Sequence, residues 1–165
     1  MSTSFEIPEA DLLTTGTVGP PGQRVFFIQA RQGDQVVSLR LEKAQVAALV
    51  THLGVVMADL PPPGPLPTDL DLIEPVVAEW VVGSLGVSYE EDDDRVVLVA
   101  EELVDDEDQD PARVVIRATR EQAAAFSMHG ATVVEAGRPP CPLCGQPLDA
   151  EGHVCIRLNG HRQVR

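Results

Sequence analysis

Leu39-Arg40-Leu41-Glu42-Lys43-Ala44-Gln45-Val46-Ala47-Ala48-Leu49 and, 77 residues later, Ile116-Arg117-Ala118-Thr119-Arg120-Glu121-Gln122-Ala123-Ala124-Ala125-Phe126 pair off along their length. Each starts with the apolar end of a strand and an Arg, passes a residue that opens a helix, and runs through Gln into a stripe of small apolar residues. A unit met twice predicts an α+β body of two pseudo-repeated halves, each a β-hairpin followed by a helix, packed together. Both stretches are short and rich in Ala, and two unrelated strand-to-helix junctions give the same pattern. Repeat and convergence therefore both stay open at this level.

Working outward from the first junction, residues 24–31 (RVFFIQAR) and 35–41 (QVVSLRL) read as strands joined at the turn Gly33-Asp34. Residues 5–13 suit an earlier strand interrupted at Pro8, and 14–23 (TTGTVGPPGQ) suit a loop. The helix opened by Glu42 carries Val46, Leu49, Val50 and Leu53 on one stripe, with Gly54 as its expected stop. Pro61, Pro62, Pro63, Pro65 and Pro67 then exclude both helix and central strand, so 61–67 is an extended connector between halves at about 1–60 and 69–137. Around the second junction, strands are expected over 79–89, 95–100 and 113–118, followed by a helix over 120–129. Acidic turns separate these strands at 90–94 and 105–111.

The last stretch differs in chemistry. All three cysteines, Cys141, Cys144 and Cys155, fall within fifteen residues, with His153 among them and His161 just beyond. Cys-x2-Cys followed by Gly is a zinc-knuckle spacing, in which a tight turn aims two thiolates at one ion. The fourth ligand is His153, which a period-2 strand puts on the same face as Cys155, or His161, brought round by the turn Asn159-Gly160. His153 is favoured. Four protein ligands close a site, so the expectation is one structural zinc per chain, folding a tail over 138–165 that is too small for a core of its own. Asp149 and Glu151 sit close enough to serve an open zinc as bases, but they also suit the turn they occupy.

Composition bounds the rest. With 165 residues and 44% apolar content the chain suits one domain and a small appendage. No apolar run reaches membrane-helix length and the first residues lack a signal-peptide pattern, so no membrane is implied and a cytoplasmic location is expected. Three clustered cysteines in a reducing compartment favour metal over disulfides. The net charge of −14 divides unevenly: residues 1–137 hold 24 acids against 8 bases, and 138–165 hold 2 acids against 4 bases. A body of −16 repels phosphate backbones, so its partner is expected to be a protein, one with a basic surface.

Other features have structural readings beside functional ones. His52 and His129 are expected at the C-terminal ends of the two helices, where an imidazolium faces the negative end of the dipole. Matching histidines could also meet in a site between the halves, although no nucleophile or paired carboxylate accompanies them at a recognisable spacing. The glycines of 16–22 lack the Gly-Lys-Ser/Thr ending of a phosphate loop, and prolines remove amide donors there. Neither acidic run has the alternating ligand pattern of a calcium loop.

Gly19-Pro20-Pro21-Gly22-Gln23-Arg24-Val25-Phe26, then Ile28-Gln29-Ala30, then Gly137-Arg138-Pro139-Pro140-Cys141-Pro142-Leu143-Cys144-Gly145 and Gly152-His153-Val154-Cys155 to Asn159-Gly160 carry a resemblance. The chain resembles an uncharacterised actinobacterial family, a domain of unknown function often encoded near mycothiol biosynthesis genes, with a zinc-like cysteine end. The resemblance spans the chain, and its C-terminal motif is the specific part. It implies no agreed enzymatic activity, and it implies a link to the actinobacterial signature protein that modulates a ParA-type chromosome-segregation ATPase. The function expected is a non-enzymatic, zinc-binding adaptor or regulator. The alternatives are a metal-dependent or His-based hydrolase with its site between the halves, and nucleic-acid binding through the basic tail.

Overall fold

In a computed structural model of the chain, residues 2–136 are described, as is the backbone of residues 153–154 and 163–164. The order is β1 (Phe5–Ile7), β2 (Leu12–Val18), β3 (Val25–Gln32), β4 (Gln35–Leu41), α1 (Lys43–Ala58), β5 (Val82–Glu90), β6 (Arg95–Glu102), β7 (Arg113–Ala118), α2 (Arg120–Glu135), β8 (His153–Val154) and β9 (Gln163–Val164). The class is α+β, as the sequence predicts. Strands β2-β3-β4 form one antiparallel meander leading into α1, and β5-β6-β7 form a second leading into α2.

The pseudo-repeat is detailed. The helices occupy residues 43–58 and 120–135, so every position of α2 lies 77 beyond its counterpart in α1. The strand rows match as well: Leu13-Ala30-Val37 corresponds to Leu85-Ala100-Val114, and Thr15-Ile28-Leu39 to Val87-Leu98-Ile116. Because alternate residues point to opposite faces, these rows turn one face of each sheet toward the helices. Ile28, Leu39, Ile116, Leu53 and Phe126 are almost wholly buried there, each worth about 1.5–3 kcal/mol relative to exposure.

The halves exchange elements. Strand β1, which precedes the first meander, pairs in parallel with β7 of the second, with Glu6 opposite Val115 and Ile7 opposite Ile116. Residues 79–81, which precede the second meander, run parallel to β4 of the first: Glu79 N donates to Ser38 O at 2.8 Å and Arg40 N to Trp80 O at 3.1 Å. The helices follow suit, α1 packing against β5 and α2 against β2. Trp80, buried, ties the two leading segments together by donating its indole N–H to Thr3 O at 2.9 Å.

The helix starts show how sequence drives this. The Glu42 N–H donates to Gln45 Oε1 at 2.7 Å and the Thr119 N–H to Gln122 Oε1 at 2.9 Å, so a Gln at the third helical position closes each capping box. The other end of each Gln crosses to the opposite half: Gln45 Nε2 donates to Val82 O at 3.1 Å and Gln122 Nε2 to Ala10 O at 2.7 Å. One side chain thereby starts a helix and anchors the segment leading into the strand beneath it.

Several expectations are corrected. Residues 14–18 are strand, not loop, because β-branched Thr14, Thr15 and Thr17 find ladder partners in β3; the turn begins at Gly19, whose φ of 110° suits glycine. Helix α1 does not stop at Gly54. Nothing lies within 4 Å of where a Cβ would be on Gly54, and Met57 beyond it packs against the core, so burial outweighs glycine's cost of about 1 kcal/mol. The helix ends at Asp59, two residues before Pro61. Helix α2 likewise passes His129 because Val133 and Val134 pack on the core. His52 and His129 are therefore the tenth residues of sixteen-residue helices, and the helix-end role expected of them does not hold. The irregular stretch between α1 and β5 is also longer than 61–67, covering 59–81.

Candidate functional site

The predicted metal ligands Cys141, Cys144, Cys155 and His161 lie outside the described residues. For His153 the backbone is described, in β8, opposite Val164 of β9. Among the described residues, no group of three or more His, Cys, Asp or Glu is placed to hold a metal ion.

An acidic trough of about 1070 Å³ is lined by Pro8, Glu9 and Gln32 from the first half and by Glu90, Glu91, Asp92, Asp93, Arg95 and Arg117 from the second. Its wall is the β5-β6 turn, which Asp94 closes with a φ of 51°. Asp94 Oδ1 accepts from Tyr89 Oη at 2.6 Å and from Arg120 Nε at 2.9 Å, and Arg120 Nη1 donates to Pro61 O at 2.7 Å, tying the turn to the connector. The Tyr89 hydroxyl first, and then Arg120, holds the Asp94 carboxyl below its ordinary range, while the same hydrogen bond pushes the Tyr89 phenol up. Arg117 makes a two-pronged contact with Glu90, at 3.1 and 3.2 Å, and that carboxylate raises its pKa. Glu91, Asp92 and Asp93 remain exposed, and no described cation pairs with them.

The second acidic run lies elsewhere. Turn 91–94 precedes β6 and loop 103–112 follows it, so the two sit at opposite ends of an eight-residue strand, about 26 Å apart. They are not neighbouring turns of one surface. In the second, Asp106 caps its own loop by accepting from Asp108 N at 2.9 Å. Glu102 at its root accepts from Ser2 Oγ and from Ala112 N, and these bonds hold its carboxyl below the ordinary range, the Ser2 hydroxyl contributing most.

The two histidines are not brought together. His52 lines a cleft of about 230 Å³ between α1 and β5 with Gln45, Leu49 and Ser84, and His129 lines one of about 450 Å³ between α2 and β2 with Thr15, Leu72 and Val133. These are pseudo-equivalent clefts filled differently. In the second, His129 Nε2 lies 3.0 Å from Thr15 O, a contact made when that nitrogen carries the proton. Phe126 also fills the place that Leu49 holds in the first cleft.

Sequence reading missed the largest fully buried polar side chain among the described residues. Gln29, fully buried on the face of the first sheet away from the helices, grips the connector: Nε2 donates to Ile73 O at 3.0 Å and Oε1 accepts from Ile73 N at 2.7 Å. Thr14 Oγ1 donates to Leu70 O, and Leu72 lies over Gly16, where an added Cβ would come within 2.8 Å of it. A Gln between Ile28 and Ala30 in an apolar strand was the available signal.

No curated protein and no solved structure matches the chain. A family model does, over a span that takes in both meanders, both helices and the stretch from Cys141 to Cys155. Matching that model over residues 4–155, the chain belongs to the family described as protein of unknown function (DUF3090).

Proposed function

We propose that the protein is a non-enzymatic zinc-binding adaptor or regulator that receives a basic segment of a protein partner in the trough between its halves. The observation that carries this reading is the trough itself, where Glu91, Asp92 and Asp93 face solvent without an ion-pair partner among the described residues. Unpaired acids at neighbouring positions repel one another, and a cationic ligand relieves that repulsion while the field steers its approach. The trough collects Glu9 from one half and the turn from the other, so an extended segment lying in it touches both. The zinc belongs to the tail, as one structural ion on Cys141, Cys144, Cys155 and His153, with His161 as the alternative fourth ligand. The resemblance to actinobacterial proteins encoded beside mycothiol biosynthesis genes, and to the modulator of a ParA-type ATPase, agrees with a regulatory adaptor.

The test is capture of partners from a native lysate with the intact chain and with a variant carrying Glu91→Gln, Asp92→Asn and Asp93→Asn. A partner lost by the variant, with association to the intact chain slowing as salt rises, supports the reading. Capture indifferent to both overturns it. Elemental analysis of the native chain checks the metal independently: one equivalent of zinc is expected, released more readily by His153→Ala than by His161→Ala.

A further inference from the structure

The two sheets each have a face turned away from the helices, and the two are covered to different extents: on the second, Val97 is buried but its neighbour Val99 is not. On that face the row Thr14-Gln29-Ser38 runs across β2, β3 and β4, and its members are 0%, 0% and 3% exposed because the connector after α1 crosses them. The corresponding row of the second sheet is Gly86-Val99-Val115, in which Gly86 is exposed and both valines are partly exposed. We infer that residues 137–165, which follow α2 as the connector follows α1, dock across this valine row and cover the second sheet as the connector covers the first.

Three observations support that occupant. The first is topological: α1 and α2 are pseudo-equivalent residue for residue, so chain leaving α2 at Ala136 starts from the place from which the connector starts. The second is reach. The connector needs fifteen residues from Ala58 to Ile73, the residue held by Gln29, and twenty-nine residues follow Ala136. The third is charge, since the tail carries four Arg against two acids and the body is acidic. The chemistry of the rows also differs in kind. A row of Gln, Thr and Ser holds a backbone by hydrogen bonds, whereas the part-exposed Val99 and Val115 offer apolar area that suits apolar side chains of the covering segment. The inference is separate from the adaptor reading and does not depend on which His completes the zinc site.

The test is a methyl NOE experiment on the full chain. Cross-peaks from the methyls of Val99 and Val115 to protons of residues 137–165 are expected, and they should vanish when mixed labelled and unlabelled chains are filtered for intermolecular contacts. Absence of tail cross-peaks overturns the inference, and so do cross-peaks that survive the filter, which make the cover a second copy. A second measurement is tryptic cleavage after Arg157 and Arg162, which Val99→Lys should speed by roughly tenfold by freeing the tail. Unchanged cleavage in a folded variant overturns it as well. If Val99→Lys does not fold, the NOE result on the native chain decides.

Discussion

The two halves place the same backbone rows at the same register and treat them oppositely. In the first sheet the row away from the helices is Thr14, Gln29 and Ser38, buried and hydrogen-bonded to the connector; in the second it is Gly86, Val99 and Val115, part-exposed and apolar. The clefts diverge too: Leu49 lines the α1–β5 cleft of about 230 Å³, whereas Phe126, its counterpart, is buried and does not line the α2–β2 cleft of about 450 Å³. A repeated fold therefore does not imply repeated function here. The helix starts, the exchanged leading segments and the helix-facing rows are what hold the architecture, and they are held in common. The outward row, the turn and the cleft are free to differ, and the acidic trough occurs where they do.

The comparison breaks most sharply at Phe126. Phe126→Ala should cost about 3–5 kcal/mol, and Leu49→Ala less, near 2 kcal/mol, since Leu49 already borders an open cleft. Denaturant unfolding of both variants checks this, and equal losses would mean that the clefts do not differ in packing. Next is Gln29→Leu, which leaves the Ile73 N–H and C=O without their partner and should cost about 2–3 kcal/mol. Faster hydrogen exchange at Ile73, with β6 and β7 unaffected, would locate the loss on the first sheet.

The glycines of the two helices sharpen the contrast at smaller scale. Gly54→Ala has open space and should stabilise by about 0.5–1 kcal/mol, whereas an added Cβ on Gly130 would lie 2.7 Å from Val50 Cγ2, so Gly130→Ala should destabilise by about 1–2 kcal/mol. Opposite signs in thermal unfolding are the expected result. The smallest effect is a pH dependence confined to the second half. Asp94 titrates lower folded than unfolded, so its contribution is present above the ordinary carboxylate range and disappears as pH falls through the depressed folded value. An NMR titration should place Asp94 below the ordinary carboxylate range, and Asp94→Asn should remove that part of the acid limb of the stability curve.

Much of the fold was legible because it rests on local chemistry. The strands 25–32, 35–41 and 113–118 follow from alternation, the turn from the pair Gly33-Asp34, and the starts of α1 and α2 from a cap residue followed three positions later by Gln. The helix ends were not legible, because Gly54 and Gly130 look alike in the chain, and each helix continues past its histidine on the strength of apolar residues that meet the core only after folding. The site was less legible still. Glu91, Asp92 and Asp93 could be read as an acidic turn, yet their joining Glu9 and Gln32 across the two halves has no trace in spacing along the chain.

What the sequence by itself determined is the pair of matching units, their strand and helix types, the excess of acid in the body and the clustering of cysteines, since each depends on neighbours within a few positions. Only the tertiary structure decided that β1 and residues 79–81 change sheets, that Gln45 and Gln122 reach Val82 and Ala10, and that Gln29 holds the connector. A strand edge or a Gln side chain bonds to whatever backbone is near enough, and which backbone is near is set by how the two halves pack as a whole.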